Sequence, residues 1–149
     1  MREAPVPVIA VAHGDAKGFG CALTAACDLA IAADHAKFSF PEMDHDLPPT
    51  LAISAVLHKL TPKRILHMVY TRDSIGAAEA LACGLVSEIA PRDGLDAAVD
   101  ATVAKLADRN RAALCAVKEY MNNALYTDPA TAARLAANIL STVLSSPKE

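Results

Sequence analysis

Large aromatic side chains are scarce in this sequence. Its 149 residues include no tryptophan, three phenylalanines and three tyrosines, although 53% of the residues are hydrophobic. The apolar content therefore comes mostly from alanine, valine, leucine and isoleucine, which suits helices that approach one another closely. A chain of this length can bury a sizeable core of its own. The excess of apolar side chains also predicts burial against other subunits or against a further part of the same subunit.

Several charge and hydropathy patterns are also missing. The net charge is −3 and no basic run carries interleaved aromatic residues, so nucleic-acid binding is not expected. Asp28, Asp34 and His35 interrupt the longest apolar stretches, which leaves none long enough to span a bilayer. The residues after Met1 do not form the basic and then apolar start of a signal peptide. We therefore expect a cytoplasmic protein without a membrane partner.

Metal-binding and disulfide spacings are absent too. The four cysteines lack CxxC spacing and lie among alanines and leucines, which indicates small core residues in a reducing compartment. They are Cys21, Cys27, Cys83 and Cys115. The Asp-His-Asp run at residues 44–46 does not predict a metal site, because adjacent side chains rarely all face one ion. We expect no metal and no separate cofactor.

The hydrophobic pattern predicts an α/β chain with helices at its C-terminal end. Short apolar runs alternate with helical patterns at first, and only helices follow later. Thr61 and Pro62 mark one helix start, and Gly84 is placed for a left-handed residue after another helix. The predicted strands are residues 8–12, 29–33, 37–40 and 85–90, and the predicted helices are residues 21–29, 50–60, 62–70, 74–83, 94–108, 110–125 and 129–145. Side chains expected to face the core from the second and third helices are Leu51, Val56, Leu57, Leu60, Ile65, Leu66 and Val69.

Two motifs follow one another along the first part of the chain. Residues 8–42 join an apolar β-type run, a glycine-bracketed turn, an alanine-rich helical run and a loop carrying Glu42. Residues 71–91 read T-R-D-S-I-G-A-A-E-A-L-A-C-G-L-V-S-E-I-A-P. The second motif matches the pattern T-G-x-x-I-x-A-x-E-A-x-x-x-G-L-V-x-x-V-x-P at Thr71, Ile75, Ala77, Glu79, Ala80, Gly84, Leu85, Val86 and Pro91. Together the two motifs resemble the enoyl-CoA hydratase/isomerase (crotonase) superfamily.

The resemblance covers nearly all of this chain but not the whole of a family subunit. It implies a partial crotonase-like ββα spiral core over residues 1–91 and a helical C-terminal region over residues 92–149. That region assembles family members into homotrimers or hexamers. A family subunit begins with further βα units, which supply one of two oxyanion-hole N–H groups and much of the CoA pocket. We therefore expect the C-terminal portion of a subunit, as a fragment or as a truncated gene product.

The resemblance also implies an acyl-CoA substrate and a role in fatty-acid metabolism. In the family, the thioester carbonyl accepts hydrogen bonds from two backbone N–H groups. One of them starts the helix after the glycine turn, where the helix dipole favours the developing negative charge. That position is Phe19 here, and Gly18 and Gly20 on either side of it would line the bound CoA thioester. The alternative is that the two glycines only form a tight turn.

Proton transfer is assigned by the resemblance to Glu42, the second of two glutamates that hydratases use. Pro41 and the apolar helix that follows favour a fixed, partly desolvated carboxylate, whereas a solvated loop carboxylate is the alternative. Ala22 stands where the first glutamate would be. One carboxylate suffices to move a proton between the α and γ carbons of the substrate. The resemblance therefore implies an isomerase-like reaction more than hydration.

Three further interpretations stay open at this point. Residues 44–46 could supply a second acid–base group from the loop of Glu42, or they are solvated turn residues. A non-catalytic relative that keeps the fold for CoA binding or assembly is favoured by Ala22 and opposed by Glu42. Lys118 matches a helix position whose lysine nears a CoA phosphate in some relatives. The alternative for Lys118 is a solvated lysine on an amphipathic helix.

Overall fold

A computed structural model describes residues 1–145 of the chain. The chain forms two compact units, which are described separately. The first comprises Met1 and Val8–Asp100, and the second comprises Arg2–Pro7 and the chain from Ala101 onward. Within the described residues, no helix combines the length and the apolar character that crossing a membrane requires.

Two three-stranded sheets form the framework of the first unit. In one sheet, β1 (Ile9–Ala12) pairs parallel with β3 (Leu29–Ala33), which pairs parallel with β6 (Glu88–Ala90). In the other, β4 (Lys37–Ser39) lies between β2 (Ala16–Lys17), to which it is parallel, and β5 (Ile75–Gly76), to which it is antiparallel. The central strand β3 is buried along most of its length, as expected of a parallel strand covered on both faces.

Short helices connect these strands. The predicted capping of the third helix is confirmed, because the Thr61 Oγ1 accepts a hydrogen bond from the Arg64 N–H at 3.4 Å, with proline at the first helical position. Gly84 has the expected left-handed backbone, with a φ of 84°. The connecting helices are α1 (Phe19–Ala26), α2 (Thr50–Val56), α3 (Pro62–Thr71) and α4 (Ala77–Ala82), with a 3-10 turn at Pro41–His45. After β6 come a 3-10 turn at Arg92–Gly94 and α5 (Leu95–Ala107), whose residues from Ala101 onward belong to the second unit.

Four predicted elements in this unit have wrong bounds. The helix predicted for residues 21–29 is α1, which starts at Phe19 and ends at Ala26, because the N–H groups of Asp28 and Leu29 donate to the Val8 carbonyl. The helix predicted for residues 50–60 ends at Val56. The helix predicted for residues 74–83 starts at Ala77, because the two preceding residues pair with β4 as β5. The strand predicted for residues 85–90 is limited to β6. In each case, backbone groups at the end of the predicted element form hydrogen bonds with a neighbouring strand or turn, so the element is shorter there than its local sequence pattern predicts.

The core of the first unit lies between the sheets and α1 to α4. Its largest fully buried side chains are Phe38, Phe40, Met68, Val56 and Cys21, whereas Ile31 belongs to a second buried cluster with Ala33, Ala90 and Leu95. The prediction that Leu51, Leu57 and Leu66 face this core is wrong, since they are 78%, 50% and 45% exposed. Successive helical residues are rotated by about 100°, so the faces that bury Val56 and Ile65 turn these three leucines outward.

The second unit is built around two long helices that pack against each other, α6 (Arg111–Ala124) and α7 (Pro129–Ser145). The N-terminal segment Arg2–Pro7 lies along α6. The amide of Asn122 donates to the Arg2 carbonyl at 3.1 Å, and the Nζ of Lys118 donates to the Val6 carbonyl at 2.9 Å. The predicted bounds of α7 are confirmed, and those of α6 hold to within one residue at either end.

Candidate active site

A glycine turn starts the first helix of the spiral core. Gly18 has φ 52° and ψ −116°, a conformation open to glycine but strained for other residues. Its N–H donates to the Ser39 carbonyl at 2.9 Å, and its carbonyl accepts the Ala22 N–H at 3.0 Å. Phe19 is therefore the first helical residue, so its N–H has no acceptor within the helix. No side chain of residues 1–145 caps this helix start, which leaves the N–H groups of the first turn available to a ligand.

Glu42 lies on a separate turn that follows β4. Pro41 starts the 3-10 turn Pro41–His45, as its fixed φ favours. The turn closes on two backbone hydrogen bonds, from the Leu47 N–H to the Glu42 carbonyl and from the Asp46 N–H to the Met43 carbonyl, both at 3.2 Å. Glu42 is half-buried on this turn. The carboxylate is therefore held by short-range backbone geometry and is not carried on a freely moving loop.

The structure brings the Glu42 carboxylate against the glycine turn. A Cβ atom built on Gly18 would lie 2.6 Å from Glu42 Oε1 and 3.3 Å from its Cδ. The carboxylate thus occupies the space that a side chain at position 18 would fill. The parallel pairing of β2 with β4 aligns Lys17 with Ser39 and so aligns the two turns that follow these strands.

The second carboxylate oxygen of Glu42 has an unusual environment. Glu42 Oε2 is buried and has no hydrogen-bond partner within the described chain. A buried polar atom without a partner costs free energy and calls for an explanation. Oε2 lies 3.9 Å from a Cβ atom built on Gly18, so the atom is next to the turn that starts α1. The roles of Glu42, Phe19, Gly18 and Gly20 stay predictions, but their proximity is a property of the fold.

Cys21 is a further member of this site that sequence reasoning had assigned only to the core. Its side chain is fully buried on α1. Burial, and next the neighbouring Glu42 carboxylate, raise the pKa of the Cys21 thiol to about 12. The signal in the sequence is the position of Cys21 one residue after the glycine turn. The thiol therefore stays protonated beside Glu42 and is a poor nucleophile.

The raised pKa of Cys21 predicts a specific loss of stability at alkaline pH. Between the ordinary value of 9.0 and about 12, the unfolded chain loses a thiol proton that the folded chain keeps. The free energy of unfolding should therefore fall by about 1.4 kcal/mol per pH unit in this range through this group. Urea unfolding of wild type and Cys21→Ala between pH 8 and 10.5 measures the difference. Cys115→Ala, in the second unit, is the control, and equal slopes for wild type and Cys21→Ala would contradict the assignment.

The positions around Glu42 offer few alternative acid–base groups. Ala22 is buried on α1 at 4% exposure, so a methyl group stands where the resemblance implies a first glutamate. Asp44 forms an ion pair with Arg72 at 3.0 Å, and the next two residues of the loop are exposed. The side chain of Phe19 is 68% exposed. Within residues 1–145, no group of three or more acidic, histidine or cysteine side chains could hold a metal ion.

Lys118 belongs to the second unit, where it differs from a solvated lysine. Its side chain is buried at 8% exposure and its Nζ donates to the Val6 carbonyl, so the solvated alternative is wrong. Beside it, Arg2, Pro5 and Asn122 help to line a cavity of about 340 Å³. A role of Lys118 in binding CoA stays a prediction.

Comparisons with known proteins identify the family. The model of the enoyl-CoA hydratase/isomerase family matches residues 1–148. Enoyl-CoA hydratase domain-containing protein 3, mitochondrial, from Rattus norvegicus is 31% identical over 140 residues, which are 94% of this chain and 47% of the rat protein. The crotonyl-CoA hydratase of Syntrophomonas wolfei is 33% identical over 123 residues, 82% of this chain and 47% of that protein. The chain thus spans about half the length of the curated relatives it matches.

Solved structures agree with the sequence matches. The crystal structure of human enoyl coenzyme A hydratase domain-containing protein 3 superposes with a TM-score of 0.95 at 31% identity, covering 99% of this chain and 58% of the human one. An enoyl-CoA hydratase from Mycobacterium smegmatis superposes with a TM-score of 0.93 at 28% identity, covering 98% and 57%. The cytoplasmic location stays a prediction, and the rat relative's name places that protein in mitochondria.

The expected partial crotonase fold is therefore confirmed, with spiral-core strands followed by C-terminal helices. The family model covers both sequence motifs, the glycine turn and the turn of Glu42. The chain belongs to the enoyl-CoA hydratase/isomerase family.

Proposed function

We propose that this chain supplies one side of an acyl-CoA site. The thioester oxygen accepts a hydrogen bond from the Phe19 N–H at the start of α1, where the helix dipole stabilises the enolate charge. Glu42 takes a proton from the α carbon of a 3-enoyl thioester and delivers it to the γ carbon, so the double bond moves next to the thioester. The observation that carries this proposal is the buried Oε2 of Glu42, which lies beside the Gly18 turn and has no hydrogen-bond partner among residues 1–145.

A single carboxylate favours an isomerase-like reaction over hydration. Hydration needs one group to activate water and another to deliver a proton to the α carbon. Ala22 is buried and cannot transfer a proton, and Asp44 is engaged by Arg72. Moving a double bond needs only removal of a proton from one carbon and its delivery to another. Glu42 can perform both steps in turn, and the CoA thioester enters as substrate with no separate cofactor.

The experiment compares two reactions of the wild-type protein. A 3-enoyl-CoA thioester and its 2-enoyl isomer are each incubated with the protein in D₂O. We expect double-bond migration with deuterium incorporated into the substrate, and hydration at a far lower rate. Rapid hydration without migration would contradict the single-carboxylate mechanism, because it requires a second proton-transfer group.

A second candidate function is a non-catalytic relative that binds acyl-CoA or serves assembly only. The observation in its favour is Ala22, which removes one of the two acid–base positions. Thermal shift measurements distinguish the two candidates. Stabilisation by an acyl-CoA thioester without turnover or deuterium exchange supports the binding role, whereas exchange supports catalysis.

We also propose assembly into homotrimers or hexamers through the C-terminal helices. In the second unit, α6 and α7 line an apolar groove of about 370 Å³ in which Val117 and Leu140 are more than half exposed. Exposed apolar side chains in such a groove favour an interface between subunits. Leu140→Lys should shift the wild-type oligomer towards monomer in light scattering. Asn138→Lys, a change to the same charged residue at an exposed position of α7, should leave the mass unchanged, and an unaltered mass in Leu140→Lys would exclude this groove.

A further inference from the structure

Arg72 combines an unfavourable backbone with a specific ion pair. It follows α3 directly and has a left-handed backbone with a φ of 61°. Arginine adopts this conformation at a cost that glycine avoids. Its guanidinium Nη1 lies 3.0 Å from Asp44 Oδ1. A strained backbone that directs a charged side chain to one partner indicates that the contact has a specific role.

The partner of Arg72 lies on the turn that carries Glu42. Asp44 is two residues after Glu42 in the 3-10 turn, and α3 packs against the same turn. The turn ends at Asp46, whose backbone is also left-handed, with a φ of 54°. The Arg72–Asp44 ion pair therefore joins the end of α3 to the turn that carries the Glu42 carboxylate next to Gly18.

We propose that Arg72 is a positioning residue, whose ion pair with Asp44 holds the turn of Glu42 against Gly18. The pair contributes little to global stability, since both side chains are half exposed and such pairs are weak. Its effect is local: it restricts the opening of a turn that otherwise closes on two backbone hydrogen bonds. Only the catalytic consequence rests on the proposed function, because the restraint on the turn exists with or without turnover.

Amide hydrogen exchange tests the restraint without any activity assay. The N–H groups of Asp46 and Leu47 close the turn, so their exchange reports its opening. In Arg72→Gly we expect both amides to exchange about threefold to fivefold faster, the range open to an exposed ion pair. The melting temperature should stay the same or rise, because glycine relieves the left-handed strain. Asp44→Asn, which leaves the backbone of Arg72 unchanged, should accelerate the same two amides.

A double variant and a matched control complete the experiment. Arg72→Gly combined with Asp44→Asn should exchange no faster at Asp46 and Leu47 than either single variant, as expected of two residues acting through one contact. Arg64→Gln removes the other ion pair of α3, with Glu79, and should leave both amides unchanged. Unchanged exchange in Arg72→Gly and Asp44→Asn, or additive effects in the double variant, would overturn the proposal.

Turnover measurements then separate the positioning role from the proposed function. If the wild type isomerises enoyl-CoA, Arg72→Gly should lower kcat about threefold to fivefold with little change in KM. The same substitution in a Glu42→Gln background should have no further effect on kcat. If the wild type shows no turnover, the proposed function fails while the exchange data still decide whether Arg72 restrains the turn.

Discussion

Replacing Glu42 with glutamine is expected to lower acyl-CoA isomerisation by about two to four orders of magnitude, the usual contribution of a general acid–base group. Glutamine has the same shape, so it fits the space beside Gly18 that the carboxylate occupies. It cannot accept and return a proton. The protein should remain folded, because glutamine fills the same space and places a neutral group where Oε2 is buried without a partner among residues 1–145. Steady-state kinetics together with thermal unfolding measure both effects.

Asp46→Asn is the matched control for Glu42→Gln. It removes one negative charge from the same loop, at an exposed position. Asparagine tolerates the left-handed backbone of residue 46, so the loop should keep its conformation. Turnover of Asp46→Asn should stay within about twofold of the wild type, as expected of an exposed substitution that keeps the backbone conformation. Equal turnover in wild type and Glu42→Gln would remove Glu42 from the mechanism.

Gly18→Ala is expected to have the largest effect on stability together with a large effect on activity. The new Cβ would lie 2.6 Å from Glu42 Oε1, so the carboxylate must leave its place. The backbone at a φ of 52° adds a cost of about 1–3 kcal/mol for a residue other than glycine. We expect a lower midpoint in urea unfolding and a loss of turnover that approaches the loss in Glu42→Gln.

Gly20→Ala tests whether the effect at position 18 is specific. Gly20 lies on α1 in the same glycine-bracketed segment, but a Cβ there would meet only Ala16 Cβ, at 3.9 Å. That distance is an ordinary van der Waals contact. Alanine in a helix is favoured over glycine by about 1 kcal/mol, so this variant should be as stable as the wild type or more stable. Equal destabilisation by both variants would indicate a general intolerance of the turn and contradict the contact with Glu42.

Elements with a continuous apolar run or a clear capping residue could be predicted from the sequence. The apolar run of β3 and the cap at Thr61 carry their own local signals. The two-residue strands β2 and β5 carry none, because they exist only through pairing with β4. The inward face of α2 was predicted only in part, since Val56 is buried but Leu51 is exposed and Ala52 takes its place. A helix of seven residues gives too few positions to define a periodic pattern.

The candidate site shows the same division between local and long-range information. The sequence motifs indicated the glycine turn and Glu42 separately, and the resemblance assigned them to one site. Their contact depends on the parallel register of β2 and β4, which aligns Lys17 with Ser39. The Arg72–Asp44 ion pair joins residues 28 positions apart, and no local pattern predicts such a contact.

The contact between Gly18 and Glu42 affects the order in which positions 18 and 42 can be substituted during evolution. A smaller residue at position 42 removes the carboxylate without crowding, so the acid–base group can be lost in one substitution. A side chain at position 18 meets that carboxylate at 2.6 Å, so while Glu42 remains it can be accommodated only if the carboxylate moves from its place. Even after Glu42 is lost, the backbone of residue 18 still disfavours other residues. A homologous protein that has lost the carboxylate at position 42 is therefore expected to keep glycine at position 18. The presence of this glycine alone does not indicate that a protein is active.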